Sequence, residues 1–336
     1  MRIAIHPAPN SFSDRWIAYC QKKGIAFKLV NCYASDIIKQ IADCSALMWN
    51  FHHKNYRDVL FAKQLLYAVE LTGRKVFPDH NTCWHFDDKV AQKYLLESLN
   101  APIPPTYTFY IKEDALNWIE KATFPLVFKL RCGAGSQHVK LAKSISQARS
   151  LVNKAFNHGF SQFDRIGYLQ ERIRQFRDLN DNLSGVLKGI ARLIIPTEFA
   201  LMHSKEKGYI LFQEFIPYNN HDIRVIVINN KAFAIKRIVR KNDFRASGSG
   251  KIQFEKENFS IDTIKLSLEI AAKLQSQCIA FDFVFDDNNN PLIVEISYSF
   301  TGKAYDSCTG YWDNELNFHE GTFLPQNWMV DIIINS

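Results

Sequence analysis

Two acidic residues near the C-terminal end, Asp282 and Glu295, lie in a stretch whose pattern sets them face to face. Residues 279–299 read IAFDFVFDDNNNPLIVEISYS. Asp286-Asp287-Asn288-Asn289-Asn290-Pro291 is a turn, because Asn and Asp tolerate turn geometry and Pro cannot donate to a strand ladder. The flanks alternate with period two, as half-buried strands do. A turn centred between Asn288 and Asn289 packs Phe281, Phe283 and Phe285 with Leu292, Val294 and Ile296, and puts Asp282 opposite Glu295. Facing carboxylates repel. A divalent cation would turn that repulsion into a site, and Mg²⁺ takes one or two carboxylates together with phosphate oxygens. Ser297 is on the face of Glu295 and could add a hydroxyl. Taken alone, the hairpin also fits an ordinary solvated face.

Three other groups of residues could do chemistry. Lys129 sits in the apolar run Leu126–Leu130 and needs a partner there, because burying an unpaired charge is expensive. Cys132-Gly133-Ala134-Gly135-Ser136 follows, and glycines let backbone N–H groups approach phosphate oxygens. A strand comes next, not the helix that a P-loop or a dinucleotide fingerprint requires. The segment therefore reads as a hairpin flap, or simply as a Gly-rich turn. Further on, Lys236, Arg237, Arg240, Lys241 and Arg245 form a dense cationic cluster. Clustered guanidinium groups suit carboxylates, phosphates and acyl-phosphates through bidentate hydrogen bonds. Finally, His52-His53-Lys54 occupies a loop. Neighbouring loop histidines more often point apart than share a metal, so substrate contact or a plain polar loop is the preferred reading.

These residues need a scaffold, and the chain is long enough to supply one. It has 336 residues, 47% hydrophobic and 22% charged, ordinary for a folded protein of two or three lobes. A net charge of +7 suits a small polyanion, and no basic tail or arginine-rich run points to nucleic acid. No leader segment or membrane-spanning run is expected. The seven cysteines form no C-x-x-C pair, which reads as reduced thiols in a cytoplasmic protein. Residues 1–80 alternate strand and helix, which implies a small parallel sheet with helices on both faces. Ligands of such sheets bind at the carboxyl ends of the strands, where His52–Asn55 would lie. A single helix is expected over Asn81–Asn100, with Asp88-Lys89 readable as a surface charge pair. Residues 161–208 read as an insertion, helical over Tyr168–Arg177 and interrupted by Gly185 and Gly189. Strands follow over Tyr209–Ile216, Asp222–Ile228 and Ala232–Val239. The turn at Asn229-Asn230 sets Asp222 against Arg237. A helix spans Ile261–Gln275.

In order, these pieces resemble the ATP-grasp superfamily, nearest its RimK-like branch of carboxylate–amine ligases. The resemblance rests on Asp88-Lys89, Lys129 before its Gly-rich flap, Gln213-Glu214-Phe215-Ile216, Asp222-Ile223-Arg224, Asp243-Phe244-Arg245, and Asp282 with Glu295. It covers roughly residues 85–300, and the N-terminal βαβ region resembles the family's pre-ATP-grasp domain. It implies an α/β (α+β) ATP-grasp fold: a pre-ATP-grasp domain over 1–80, a small lobe with flap and insertion over 81–208, and a metal-bearing lobe over 209–336. It further implies that Lys89 and Lys129 contact ATP phosphates under the flap of Gly133, Gly135 and Ser136. Glu214 and Phe215 would form the adenine hinge, with Gln213 beside them in the cofactor site and Asp222 near the nucleotide. Arg237 and Arg245 would stabilise the transferring phosphate. Asp282, Glu295 and Ser297 would hold Mg²⁺ or Mn²⁺. His52, His53, Lys54, Arg224, Arg240 and Ser247 would meet the substrates, a carboxylic acid and an amine.

Two departures from the branch matter. Its usual Glu-x-Asn is Glu295-Ile296-Ser297 here, and its usual Asn after the Asp-Phe-Arg arginine is Ser247. A hydroxyl is a weaker Mg²⁺ ligand than an amide carbonyl, so the number of metal ions stays open. Three functions follow: a ligase for a small molecule or a sugar acid in polysaccharide assembly, an amino-acid ligase acting on a protein or peptide, or an ATP-binding module without turnover. Whether the chain forms a homo-oligomer is left open by its sequence.

Overall fold

The computed structural model describes residues 1–133, 138–177, 183–195, 198–239, 243–245 and 251–335, without the side chains of 175 and 199. Gly135, Ser136, Arg240 and Ser247 lie outside the described residues. The N-terminal alternation is present as β1 (Ile3–Ile5), α1 (Phe12–Lys23), β2 (Phe27–Leu29), α2 (Ile37–Gln40), β3 (Ala46–Met48), α3 (Tyr56–Glu70) and β4 (Lys75–Phe77). Its strands form a parallel sheet in the order β2-β1-β3-β4. Ser11 caps α1 by accepting from the Ser13 amide, and Gly24 ends it in the left-handed region at φ 66°.

The helix expected over Asn81–Asn100 is instead two, α4 (His80–Cys83) and α5 (Lys89–Ser98). Asp87 breaks the run with a φ of 56°. Asp88 then caps α5, accepting from the amides of Val90 and Ala91. Lys89 is thereby the buried first residue of a helix, not half of an exposed charge pair.

Next come β5 (Thr106–Phe109), α6 (Lys112–Ile119), β6 (Leu126–Lys129), β7 (Val139–Ala142), α7 (Ile145–Phe156), α8 (Arg165–Arg177), α9 (Leu183–Ile194), α10 (Glu198–Met202) and β8 (Ile210–Glu214). Their strands make an antiparallel sheet ordered β5-β8-β6-β7. The expected interruption at Gly185 and Gly189 does not occur, and α9 runs through both. Gly189 serves close packing instead: a Cβ there would come within 2.9 Å of Leu169 Cδ1 on α8.

The last segment holds β9 (His221–Ile228), β10 (Lys231–Ile238), β11 (Ile252–Gln253), α11 (Ile261–Leu274), β12 (Cys278–Phe285), β13 (Pro291–Ser297), β14 (Gly310–Trp312), β15 (Phe318–Glu320) and α12 (Pro325–Asn335). Its antiparallel sheet runs β13-β12-β9-β10-β14-β15, with β11 on β10. One core joins this sheet to the parallel sheet and to α1 and α12, through Ile3, Trp16, Ile226, Phe233 and Met329. The two sheets are thus held in fixed relation by shared apolar contacts.

Register is where the structure both meets and corrects the sequence. Asp222 pairs with Arg237 and Asp282 with Glu295, as the turns imply. Between Asp282 and Phe283, however, the β12–β13 register shifts. Phe283 pairs with Ile293, and Phe285 with Pro291, leaving Val294 as the extra residue of a bulge. The apolar set is therefore Phe281 and Phe283 with Ile293 and Ile296, all buried. Val294 faces the other way, toward the cleft bounded by Asp282 and Glu295. No helix among the described residues is long and apolar enough to cross a membrane, and all seven cysteines are unpaired.

Candidate functional site

Lys129 ends β6, next to β8, with its side chain buried. Its Nζ donates to Gln213 Oε1 at 2.7 Å and to the Val294 carbonyl at 3.0 Å. The second acceptor comes from the bulged residue of β13. Gln213 is itself oriented, its Nε2 donating to Thr106 Oγ1 at 2.9 Å. Both partners of Lys129 are neutral, so burial dominates and lowers its pKa to about 8, against the pull of Glu295 and with the push of Lys89.

Lys89 donates to the Gly133 carbonyl at 2.7 Å and lies 3.4 Å from Glu295 Oε1. Burial works to lower its pKa, but Glu295 and Asp87 outweigh burial and hold it above the usual lysine value. Asp87 takes the Gly133 amide at 2.9 Å, tying the base of the flap to the turn before α5. Burial raises the Asp87 carboxyl to about 6, although Lys89 and that amide oppose the rise. Lys89, Lys129 and Gly133 thus come together on one side of a cleft whose other residues include Gln213, Glu214, Phe215, Asp222, Arg237 and Arg245. The cleft encloses about 160 Å³. That is below the roughly 300–1,000 Å³ usual for small-molecule sites.

The facing carboxylates do not wait for a metal. Arg224 grips Asp282 with two hydrogen bonds, the Nη2–Oδ2 one at 2.6 Å. Arg237 lies 3.0 Å from the same Oδ2 and holds Asp222 with two bonds of 2.6 Å. Burial would raise the Asp282 carboxyl, but the two guanidinium groups overcome it and keep it well below the usual carboxylate range. On the opposite strand Lys89 neutralises Glu295. The expectation that a divalent cation would offset this repulsion is therefore corrected: Arg224, Arg237 and Lys89 supply the positive charge. Ser297 Oγ donates to the Ser299 carbonyl at 2.9 Å. No cluster of three or more His, Cys, Asp or Glu among the described residues can hold a metal unaided. Two carboxylates beside a cationic cleft do fit a Mg²⁺ ion that arrives with a polyphosphate, since phosphate oxygens complete its shell.

Asp282 and Glu295 also border a second, larger cavity of about 790 Å³. His52, His53, Lys54 and Arg224 line it, so the structure brings these residues together across one space. The histidine rings lie 4.2 Å apart, and His52 is braced by its amide donating to Asp58 at 2.6 Å. Burial lowers the pKa of His52 to about 4 and that of His53 to about 2, so both are neutral at ordinary pH. Neither ring nitrogen of His53 has a hydrogen-bond partner. Sequence reasoning missed the rest of this cavity. Arg15, Asn50, Gly302, Lys303 and Gln326 line it too, from four separate parts of the chain, and no local motif marks them.

Comparison with known proteins adds three findings. A family model, the RimK-like ATP-grasp domain, matches residues 196–311. An alpha-aminoadipate–LysW ligase, LysX, from Saccharolobus solfataricus is 21% identical over 231 residues, 69% of this chain and 68% of the relative. Among solved structures, a D-alanine–D-alanine ligase from Bacillus anthracis superposes with a TM-score of 0.61 at 14% identity, covering 100% of this chain and 96% of that one. A RimK-domain ATP-grasp protein from Sphaerobacter thermophilus gives a TM-score of 0.56 at 14% identity, covering 100% of both chains.

Proposed function

We propose that this chain, which belongs to the RimK-like ATP-grasp family, joins a carboxylic acid to an amine using ATP and Mg²⁺. One observation carries the reading: the cationic cleft and the larger cavity meet at Asp282 and Glu295. A phosphoryl group in the first would there face a carboxylate in the second.

The chemistry balances without a covalent enzyme intermediate. A carboxylate oxygen of the acid takes the γ-phosphoryl group, the bond to ADP breaks, and an acyl-phosphate results. The amine nitrogen attacks its carbonyl carbon, phosphate leaves, and the nitrogen loses a proton to solvent. Such transfers depend on positioning and charge neutralisation more than on protein nucleophiles. Lys89 and Lys129 hold the phosphates, and Arg245, paired with Asp243, faces the same cleft. Arg237 acts from its place between Asp222 and Asp282. The adenine hinge is Glu214-Phe215, at the end of β8 and just beyond it. Mg²⁺, when bound through Asp282 and Glu295, neutralises the phosphate charge. Arg224 orients the acid, and His52, His53 and Lys54 contact the substrate from the opposite wall. A closed cleft around Lys129 would exclude water, which would otherwise hydrolyse the acyl-phosphate. Lobes over 1–80, 81–208 and 209–336 are the proposed division, although β8 (Ile210–Glu214) pairs with β5 and β6 and so joins the middle sheet.

The finer reading is a small-molecule or sugar acid, used in polysaccharide assembly. The ring nitrogens of His53, unpartnered among the described residues, support it by offering a donor and an acceptor to a hydroxyl in the larger cavity. The test is ADP release over a panel of uronic acids, amino acids and amines, with and without His53→Ala/Lys54→Ala. The double variant is expected to lose substrate use and keep MgATP binding. Equal loss of both would show the loop to be structural only.

A further inference from the structure

The larger cavity extends from Glu295 along the loop after β13, past Ser299 and Thr301 to Gly302 and Lys303, and ends against α1 and the start of α12. One donor at that end has no partner. Gln326 is fully buried and lines the cavity, and its Nε2 makes no hydrogen bond. Amide nitrogen and oxygen are told apart by their neighbours, and here the neighbour is decisive. Arginine can only donate. Arg15 Nη1 donates to Gln326 Oε1 at 3.0 Å, and Asp306 fixes Arg15 by accepting from Nη2 at 2.6 Å. This chain of three residues turns Nε2 toward the wall at Gly302, where a Cβ would come within 3.0 Å of it. A side chain at 302 would crowd the donor, which lies just beneath the cavity wall and is shielded from solvent. An unmade buried hydrogen bond costs about 1–3 kcal/mol, which an incoming oxygen would remove.

Charge says which oxygen. The acids of the cavity are engaged: Asp58 by the Tyr33 hydroxyl and the His52 amide, Asp14 by the Asn10 amide, Asp87 by the Gly133 amide. Asp282 and Glu295 are held by Arg224 and Lys89. Lys54 and Lys303 also line the space and form no ion pair among the described residues. At the distal end, the lysine without a carboxylate partner among the described residues is Lys303. A small monocarboxylic acid would leave most of the 790 Å³ empty and Lys303 unanswered.

We propose that this distal end is a carboxylate subsite, with Gln326 Nε2 and Lys303 binding the second carboxylate of a dicarboxylic acid whose first lies at Arg224 and Glu295. The place of the first carboxylate rests on the ligase reading above, whereas the subsite rests on Gln326 and Lys303. Arg15 and Asp306 are positioning residues.

The test compares glutarate, adipate and pimelate with pentanoate, hexanoate and heptanoate, using MgATP and hydroxylamine as the amine. ADP and hydroxamate are read, beside melts of the protein with each acid in the absence of nucleotide. One dicarboxylate is expected to show a KM at least about tenfold below its chain-matched monocarboxylate, the worth of one charge-assisted contact. Gln326→Leu and Lys303→Gln should each remove most of that preference while MgATP still raises the melting temperature. Lys303 is exposed, so its variant decides the matter should Gln326→Leu fail to fold. Dicarboxylates that raise the melting temperature in the parent and not in the variants, yet give no ADP, uphold the subsite and overturn the ligase reading. Dicarboxylates no better than monocarboxylates in melts and turnover, or a preference that survives both substitutions, overturn the subsite.

Discussion

With Lys129 holding an ATP phosphate, as proposed, nucleotide affinity would depend on pH in a direction set by its burial. Burial lowers this lysine to about 8 from 10.5 in the unfolded chain. Phosphate binding uses the protonated form. Above pH 8 the free protein must take up a proton before it binds, so affinity falls as pH rises. With a pKa of about 8, half of the molecules carry the charge at pH 8 and about 3% at pH 9.5, a roughly fifteenfold rise in apparent Kd for MgATP. Lys89 adds no slope in this window, because Glu295 and Asp87 keep its pKa above the usual lysine value. The same shift acts on folding with the opposite sign. Between pH 8 and 10.5 the unfolded chain binds more protons, so this group makes the ligand-free protein more stable as pH rises. The assay is calorimetric titration of MgATP from pH 7.5 to 9.5 on the parent and on Lys129→Met. The parent should show the rise in Kd, and the variant should bind weakly at every pH with no slope. A flat parent profile, or the same slope in Lys129→Met, would refute the argument.

Three further outcomes follow from the charge network. Glu295→Ala is expected to lose turnover and also about 1–3 kcal/mol of stability without metal, because buried Lys89 loses its carboxylate; denaturant melts in EDTA check it, and this reverses the view of the hairpin as two repelling acids. Asp282→Asn leaves Arg224 and Arg237 with one counter-charge fewer, so a loss of about 3–5 kcal/mol is expected in urea unfolding, partly restored by Arg224→Met in the same chain. Ser297→Asn places an amide carbonyl beside Glu295 and should keep or lower the Mg²⁺ concentration for half-maximal ADP formation; a marked increase would contradict a ligand role for an amide at position 297.

Much of the fold was legible because its signals are local. Period-two strands around Asn-rich turns gave the pairs Asp222–Arg237 and Asp282–Glu295, and caps such as Ser11 and Gly24 bounded helices. What escaped was set by contacts distant in the chain. The bulge at Val294 is invisible in the alternation, yet it moves that residue from the core face to the cleft and offers its carbonyl to Lys129. Gly189 looks like a helix breaker until α8 is laid against it. Asp87 and Asp88 look like surface charges until the flap base docks on Asp87. At the site, Lys129 announced itself by its apolar neighbours, whereas the partners of Asp282 could not be read: Arg224 and Arg237 reach it only once β9 and β10 lie beside β12. Arg15 and Gln326 are more distant still, meeting across 311 positions.

The central claim is that the acid is activated as an acyl-phosphate at the junction of the two cavities. The most direct measurement supplies the acid that best drives ADP formation with ¹⁸O in its carboxyl group and follows the label by mass spectrometry of the released phosphate. The reading predicts one ¹⁸O per phosphate, carried over when the amine displaces the acyl-phosphate. Phosphate free of label, or no acid that raises ADP formation above the acid-free rate, would contradict it.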